Sequence, residues 1–132
     1  MTVEQTAIAP SVLVVDDEAE MRLLVRYMLR RGGFEVVDEA VNGLEALERF
    51  AALGPPPVPT VVLLDQLMPG LSGLDAAAQM LARHPGQVIV LFSANLTPQI
   101  REQARAIGIT ACVSKMQTSE LPEILGDLLP ED

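Results

Sequence analysis

The sequence predicts an α/β fold in which helices cover both faces of a parallel sheet. Short apolar runs rich in β-branched residues alternate along the chain with segments whose apolar residues recur at helical spacing. Several of the short runs are almost continuously apolar, as is typical of parallel strands covered on both faces. Strict alternation of strand and helix requires right-handed crossovers, which lay the helices against the two sides of one sheet.

Five of the short runs are predicted to be strands. In chain order they are Ser11–Val15, Glu35–Glu39, Val58–Leu64, Gln87–Phe92 and Ala111–Ser114. The first, third and fourth contain almost nothing but apolar side chains, so we expect these three to be buried on both faces.

Five helices are predicted from apolar stripes at a spacing of three and four residues. The stripes are Met21, Leu24, Val25, Met28 and Leu29; Leu44, Leu47, Phe50 and Ala51; Leu74, Ala77, Ala78 and Leu81; Ile100, Ala104 and Ile107; and Leu121, Ile124, Leu125 and Leu128. Arginines followed by Gly32 and Gly33 are expected to end the first helix. Thr97 and Pro98 are expected to begin the fourth helix, and Pro122 to lie in the first turn of the fifth.

Length and composition indicate one acidic domain. The chain has 132 residues and 49% hydrophobic content, which is ample for a single core. Nine Lys and Arg residues against 18 Asp and Glu residues give a net charge of −9. Such a surface repels phosphate backbones, so we expect this domain to bind neither nucleic acid nor an anionic membrane.

The termini and the single cysteine lead to a prediction of domain limits and location. Cys112 excludes an intrachain disulfide and fits a reducing cytosol, and its apolar neighbours favour a strand position as a small core residue. Residues 1–10 lack the features of a signal peptide, and no apolar run approaches the roughly 20 residues that span a bilayer. We expect a cytoplasmic protein with a loosely attached or disordered tail over residues 1–10, one domain over 11–129, and a tail over 130–132.

Polar side chains that could carry chemistry follow four of the five predicted strands. They are Asp16, Asp17 and Glu18 after the first strand, Asp65 after the third, Ser93 after the fourth and Lys115 after the fifth. The carboxyl ends of parallel strands meet at one edge of a sheet, and this edge is where open α/β folds bind ligands. We therefore expect three aspartates, a hydroxyl group and a lysine to converge there.

Such a cluster has a definite chemistry. Three adjacent carboxylates repel one another, and a hard divalent cation such as Mg²⁺ relieves the repulsion while leaving room for a phosphate oxygen. One carboxylate can then attack phosphorus and form an aspartyl phosphate, with Lys115 offsetting charge and Ser93 donating a hydrogen bond. Taken alone, Lys115 would be interpreted as a solvated surface lysine and Ser93 as a cap at a strand end. Their placement at the same edge as the three aspartates favours a phosphoryl-accepting site.

Four segments of the chain resemble the receiver domains of two-component response regulators. They are Val14–Glu18, Leu64–Leu74, Phe92–Ala94 and Gly108–Lys115, in that order and at receiver-like spacing. The resemblance extends from about Val12 to Leu129 and is closest in kind to the chemotaxis receivers. It implies a flavodoxin-like (βα)5 three-layer sandwich with strand order 2-1-3-4-5, an order that the family supplies and that the residues alone do not specify.

The resemblance also implies a role for each site residue. Asp65 corresponds to the phosphoacceptor, Ser93 to the switch hydroxyl and Lys115 to the lysine that pairs with the phosphoryl group. Among the metal ligands, Asp17 corresponds to the direct ligand and Asp16 to the ligand that acts through water. The backbone carbonyl of Leu67 corresponds to the remaining protein ligand. Mg²⁺ is the implied cofactor. The implied phosphoryl donor is a histidine on a sensor kinase or on a histidine phosphotransfer protein.

Signalling in this family passes through the face formed by helix 4, strand 5 and helix 5, which implies a downstream protein target there and leaves homodimerisation open. Cys112 departs from the family at this face, because receivers usually carry Tyr or Phe at its position. A cysteine cannot sweep the volume of an aromatic ring, so we expect weaker or differently routed coupling through Ser93 and Asn95. Leu67 cannot orient a water molecule, so we expect slow loss of the phosphoryl group.

Three other interpretations compete with a stand-alone receiver. A phosphatase with an Asp nucleophile typically carries a second Asp two residues later, where this chain has Leu67. A flavodoxin-type FMN site needs a phosphate loop after the first strand, and Asp16 and Asp17 would repel that phosphate. A receiver that belongs to a longer DNA-binding regulator is the remaining alternative, and we favour the stand-alone receiver. We expect no enzyme activity beyond self-phosphorylation and self-dephosphorylation.

Overall fold

Strands and helices alternate along the described part of the chain. The computed structural model describes residues 9–54 and 59–130. In chain order the elements are β1 (Ser11–Val15), α1 (Ala19–Arg31), β2 (Glu35–Ala40), α2 (Gly43–Leu53), β3 (Val61–Leu64), α3 (Gly73–Arg83), β4 (Val88–Ser93), α4 (Pro98–Ile107), β5 (Ala111–Ser114) and α5 (Leu121–Leu128), with a 3₁₀ segment over Lys115–Glu120.

The five strands form one parallel sheet in the order β2-β1-β3-β4-β5. Neighbouring strands are nearly in register at their carboxyl ends, where Val15 pairs with Leu64 and Leu64 pairs with Leu91. The last residues of β4 and β5, Ser93 and Ser114, also pair. The flavodoxin-like α/β fold and its strand order are therefore confirmed, and the strand ends form a common edge.

Two hydrophobic clusters lie on opposite faces of the sheet. Within β1, Leu13 and Val15 point to one face, and Val12 and Val14 point to the other. The first face is covered by buried residues of α2, α3 and α4, namely Ala46, Phe50, Ala76, Ala77, Met80 and Ala104. The second is covered by Val25, Leu29, Leu121 and Leu125 of α1 and α5. The result is the expected three-layer arrangement, and the central strands are buried on both sides because each contributes to both clusters.

Three of the predicted strands had boundaries that were wrong by one to three residues. β2 extends to Ala40, and β4 runs over Val88–Ser93, so that Ser93 is the last residue of the strand instead of the first residue after it. β3 begins at Val61. Thr60 precedes it outside the ladder, because its backbone N–H donates to Ser11 Oγ at 2.9 Å while the Ser11 N–H donates to Thr60 Oγ1 at 3.1 Å. Val58 lies outside the described residues.

The apolar stripes were only partly correct. Leu24 and Leu44 were predicted to face the core but are 44% and 64% exposed. Ala51 and Ala78 are exposed as well. The spacing of apolar residues indicates which side of a helix faces the core but not how much of its circumference is buried. Small residues such as Ala46 occupy buried positions that the predicted stripes did not include.

The predicted helix ends are confirmed. Thr97 Oγ1 accepts the N–H of Ile100 at 3.1 Å, Pro98 is the first residue of α4, and Pro122 lies in the first turn of α5. Gly32 ends α1 in contact with that turn, since a Cβ at this position would lie 2.3 Å from Cβ of Pro122.

The predicted tails fall mainly outside the described residues, which exclude residues 1–8 and 131–132. Pro10 is described, and its carbonyl accepts the N–H of Glu35 at 2.9 Å. Residues 55–58, which include three consecutive prolines before β3, also lie outside the described residues. In the described chain no helix has the length and apolar character that crossing a membrane demands.

Candidate functional site

The carboxyl edge of the sheet collects the polar residues that were predicted to meet there. Asp16 follows β1, Asp65 follows β3, Ser93 ends β4 and Lys115 follows β5. Asp16, Asp65 and Ser93 are buried, and Asp65 is only 5% exposed. Asp17 is exposed at the rim of the same edge. Three polar groups buried at one place need partners, and the structure provides them.

The loop after β1 holds Asp16 firmly. Its backbone N–H donates to the carbonyl of Ala40 at 3.1 Å, which ties the loop to the end of β2. Its Oδ1 accepts the backbone N–H of Glu18 at 2.9 Å, and its Oδ2 lies 2.8 Å from Lys115 Nζ. Both carboxylate oxygens of Asp16 are therefore engaged within the protein, whereas Asp17 is exposed.

The turn after β3 positions Asp65 through its backbone. The Asp65 N–H donates to the carbonyl of Val15 at 3.0 Å, and the Leu67 backbone forms a hydrogen bond with the Asp65 carboxylate. Gln66 ties the turn to α3, because its Oε1 accepts the N–H of Leu74 at 2.8 Å. Gly73 lies so close to the turn that a Cβ there would be 2.3 Å from the carbonyl oxygen of Asp65.

Lys115 is the cation shared by the carboxylates. Its Nζ lies 2.8 Å from Oδ2 of Asp16, 3.1 Å from Oδ2 of Asp65 and 3.9 Å from Oε1 of Glu18. The lysine begins the 3₁₀ segment, where Thr118 Oγ1 donates to its carbonyl at 2.6 Å. Its side chain is mostly buried, so the ammonium group has exchanged water for carboxylate oxygens.

Burial and charge act in opposite directions on the titration of this cluster. Burial raises the pKa of Asp65 above its ordinary value, Lys115 acts against this increase, and the negative charge of Asp16 adds to it. Burial tends to lower the pKa of Lys115, but its hydrogen bonds to Asp16 and Asp65 outweigh burial and raise the pKa overall. The lysine therefore stays charged, and its single positive charge compensates the carboxylates only in part.

The carboxylates are suited to a small hard cation. Asp16, Asp17 and Asp65 each offer an oxygen, and these oxygens lie within 4.8 Å of one another. Mg²⁺ binds oxygen at about 2.0–2.1 Å and keeps several water ligands, so two of these carboxylates, with a water in place of the third, fit its coordination shell. The residues form a candidate site for Mg²⁺, and the oxygen donors and the uncompensated charge both match that ion.

The other predicted site residues lie around this cluster. Ser93 is fully enclosed, and its Oγ accepts the N–H of Asn95 at 3.4 Å, which is a long contact. Leu67 is 62% exposed at the rim. Cys112 on β5 is partly buried instead of fully buried, and burial raises the pKa of its thiol while Arg101 acts against the increase. Cys112 lies in β5, an edge strand of the sheet, and within the described residues no further strand covers the outer side of β5.

Sequence reasoning missed two residues near the site. Arg22 Nη1 donates to the backbone carbonyl of Asp16 at 2.7 Å, and Arg22 Nε lies 3.3 Å from Oε1 of Glu39. The only sequence signal was an arginine near the start of the helix that follows the acidic loop. The carbonyl it binds is a backbone group that every residue carries, so the contact could not be predicted from residue types.

Comparison with known proteins decides the family. A family model described as the response regulator receiver domain matches residues 12–125. The chain belongs to this family. Receiver domains are signalling domains, and the predicted resemblance to the chemotaxis receivers is confirmed.

Curated relatives place this receiver domain near several kinds of regulator. The chemotaxis protein CheY of Listeria monocytogenes is 39% identical over 82 residues, which cover 62% of this chain and 66% of that protein. The transcriptional regulatory protein PdtaR of Mycobacterium tuberculosis is 34% identical over 124 residues, which cover 94% of this chain and 55% of that protein. The receiver domain thus spans about two thirds or less of the length of these relatives.

Solved structures have the same fold. The receiver domain of the putative regulator NarL from Mycobacterium tuberculosis has a TM-score of 0.81 and 32% identity, with 90% of this chain and 94% of that chain covered. CheY from Borrelia burgdorferi, in a complex with CheX, BeF₃ and magnesium, has a TM-score of 0.83 and 20% identity, with 92% of this chain and 90% of that chain covered. At 20% identity the second likeness concerns the fold alone.

Proposed function

We propose that this receiver domain accepts a phosphoryl group on Asp65 in a Mg²⁺-dependent reaction and signals through the change that follows. The observation that carries the proposal is the environment of Asp65, a buried carboxylate beside Asp16 and in contact with Lys115. A carboxylate at the carboxyl edge of a parallel sheet, with a fixed cation beside it, is suited to attack a phosphoryl group whose charge must be offset.

The proposed reaction is a displacement at phosphorus. An oxygen of Asp65 forms a bond to phosphorus as the bond from phosphorus to the donor nitrogen or oxygen breaks, and the leaving group takes that electron pair. Lys115 Nζ, now shared by Asp16 and Asp65, would turn to an oxygen of the phosphoryl group. Ser93 would donate its hydroxyl hydrogen to another of these oxygens. Its contact with the Asn95 N–H is long, so little hydrogen-bond energy would be lost if the hydroxyl group moved toward the phosphoryl group.

Bound Mg²⁺ would neutralise charge on the transferred group and the carboxylates. Asp17 is proposed as its direct ligand together with Asp65, because the Asp17 carboxylate is exposed and available. Asp16 would act through a water molecule, since both of its oxygens already accept hydrogen bonds or pair with Lys115. The backbone carbonyl of Leu67 is proposed as the remaining protein ligand.

The proposed donor is a histidine on a sensor kinase or on a histidine phosphotransfer protein. The proposed output is a rearrangement at the face formed by α4, β5 and α5, which would bind a downstream protein target or a second copy of the chain. The cytoplasm is the proposed location, on the strength of the single cysteine. In this function the domain performs only its own phosphorylation and dephosphorylation.

A receiver within a longer DNA-binding regulator is the second candidate. Its greater length is supported by the match to the transcriptional regulatory protein PdtaR, of which the match covers 55%, and DNA binding by the likeness to a DNA-binding response regulator of the LuxR family from Staphylococcus aureus. That structure has a TM-score of 0.81 and 26% identity, with 90% of this chain and 98% of that chain covered. The proposed chemistry at Asp65 is the same in both cases.

Intact mass spectrometry tests the proposal. The chain is incubated with Mg²⁺ and a small acyl phosphate, and one added phosphoryl group is expected. Asp65→Asn should abolish the addition, whereas Asp75→Asn, which changes an exposed aspartate of α3, should leave it unchanged. A chelator should prevent the addition. Phosphorylation of Asp65→Asn, or none of the unaltered chain, would refute the proposal.

A further inference from the structure

Arg22 connects the acidic loop to the end of β2. Its guanidinium donates to the carbonyl oxygen of Asp16 at 2.7 Å and lies 3.3 Å from Oε1 of Glu39. Its side chain is 18% exposed, so both contacts are shielded from water in large part. A charge-assisted hydrogen bond of this kind is stronger than one between neutral groups.

The carbonyl of Asp16 belongs to the peptide unit that joins Asp16 to Asp17. The N–H on the other side of Asp16 is also bound, to the carbonyl of Ala40 at 3.1 Å. Because a peptide unit is planar, binding its carbonyl fixes the direction in which the chain enters Asp17. The Cα of Asp17, from which the exposed carboxylate extends, is thus held by the backbone before it.

Glu39 holds the guanidinium in place. It lies in β2, where it pairs with Val14 in the ladder, so its backbone is fixed by the sheet. Its second oxygen binds Arg26 Nη1 at 2.5 Å. Arg26 thus binds the same carboxylate as Arg22, whereas the hydrogen bond to the Asp16 carbonyl comes from Arg22.

We propose that Arg22 is a positioning residue for the metal, which holds the Asp16–Asp17 peptide so that the Asp17 carboxylate is directed toward Asp65. The inference rests on the proposed function, because it takes the cluster of Asp16, Asp17 and Asp65 as a Mg²⁺ site. Groups that orient metal ligands commonly change metal affinity by about tenfold or more when they are removed.

Electrostatics and positioning predict opposite effects. Arg22 is a cation near the carboxylates, and if charge alone mattered, its removal would strengthen Mg²⁺ binding. If Arg22 orients Asp17, its removal weakens Mg²⁺ binding in spite of the lost repulsion. The direction of the change therefore separates the two roles.

Isothermal titration calorimetry with Mg²⁺ alone provides the test. We expect Arg22→Met to raise the Kd about tenfold, and Arg22→Lys, which keeps a charged donor, to recover part of the affinity. Arg26→Met is the matched control. Like Arg22→Met, it removes one positive charge from α1 and one ion-pair partner from Glu39. It should leave the Kd for Mg²⁺ unchanged or slightly lower. Phosphorylation by an acyl phosphate should need more Mg²⁺ for half its maximal rate in Arg22→Met, with little change in the rate at saturating Mg²⁺.

The possible results distinguish a failure of the inference about Arg22 from a failure of the proposed function on which it rests. If the unaltered chain does not bind Mg²⁺, the proposed function fails and the inference with it. If it binds Mg²⁺ and Arg22→Met binds equally or more tightly, the inference alone is overturned. Should Arg22→Met fail to fold in a urea titration, Arg22→Lys takes its place. That variant keeps the positive charge but not the planar guanidinium that reaches both the Asp16 carbonyl and Glu39, so charge alone predicts an unchanged Kd. We expect a Kd raised about threefold, and an unchanged value would overturn the inference.

Discussion

The ammonium group of Lys115 lies 3.1 Å from Oδ2 of Asp65. The same nitrogen lies 2.8 Å from Oδ2 of Asp16, so one lysine pairs with two buried carboxylates that follow two different strands. Removing one partner of a buried ion pair is costly because the other charge is left without compensation. Both buried carboxylates at this edge of the sheet therefore depend on the same side chain for charge compensation.

Replacing Lys115 should destabilise the fold. We expect Lys115→Gln to lower the free energy of unfolding by about 3 kcal/mol in the presence of a chelator, as measured by urea denaturation. Because Mg²⁺ would replace the missing positive charge, it should raise the Tm of this variant more than that of the unaltered chain. Lys115→Arg, which keeps the charge, should lose less. Equal stability of Lys115→Gln and the unaltered chain would contradict the prediction.

The pKa of Asp65 leads to a pH-dependent effect with a definite sign. Burial raises this pKa in the folded chain above its value in the unfolded chain, so the carboxylate destabilises the fold as the pH rises through the interval between the two values. We expect Asp65→Asn to be more stable than the unaltered chain near pH 7, by roughly 0.5–2 kcal/mol in chelator. The advantage should disappear below about pH 4, where both chains carry a neutral group.

Thermal unfolding across this pH range checks the prediction. Asp75→Asn serves as the control, because it removes an exposed carboxylate on α3 and should show no such pH-dependent advantage. An Asp65→Asn advantage that stays constant across the range from about pH 4 to about pH 7 would contradict the assignment to carboxylate ionisation.

Gly73 should not tolerate a side chain. A Cβ at this position would lie 2.3 Å from the carbonyl oxygen of Asp65, so Gly73→Ala must push the turn or the start of α3 away. We expect a loss of about 1–3 kcal/mol in the free energy of unfolding, together with slower phosphorylation. Gly126→Ala in α5 is the matched control, because its Cβ would meet no atom within 4 Å and should stabilise the helix by up to about 1 kcal/mol. Equal effects of the two substitutions would refute the steric argument.

The sequence was sufficient to predict which residues meet at the candidate site, because each of the main ones follows an apolar run at the end of a strand. Asp16, Asp65 and Lys115 could be assigned to one edge once the strands were taken as parallel. The strand order itself came from the family resemblance, because no pattern of residue types states which strands are neighbours.

Contacts to the backbone could not be predicted. Arg22 binds the carbonyl of Asp16, and Gly73 lies against the carbonyl of Asp65. Every residue has a carbonyl, so nothing in the residue types marks these two as partners. The exposure of Leu24 and Leu44 was missed for a different reason, since helical spacing does not say how far the sheet extends beneath a helix.

The cysteine on β5 should limit how strongly the site communicates with the α4 side of the domain. We expect hydrogen exchange in α4 to change little when beryllofluoride and Mg²⁺ are added, because Cys112 is a small side chain and only partly buried. Cys112→Tyr should enlarge the change. A large change in α4 of the unaltered chain would contradict this prediction, and a chain with Asp65→Asn controls for direct effects of the additives.

The lifetime of the phosphoryl group should depend on Leu67. This side chain is 62% exposed at the rim and offers no polar atom to an attacking water. We expect the unaltered chain to keep the phosphoryl group for minutes, and Leu67→Asn to shorten the lifetime roughly tenfold by orienting water. Intact mass followed over time after removal of the donor measures both. A lifetime of seconds in the unaltered chain would contradict the prediction.

The residues of the candidate site follow or end β1, β3, β4 and β5, so no single segment of the chain contains the site. A polypeptide that has not yet added its last strand lacks Lys115, and one that has lost the order of β3 lacks a fixed Asp65. Such molecules retain the same residues but not the arrangement. Only the finished fold brings these residues together, so the number of molecules with an assembled site is the number of correctly folded chains.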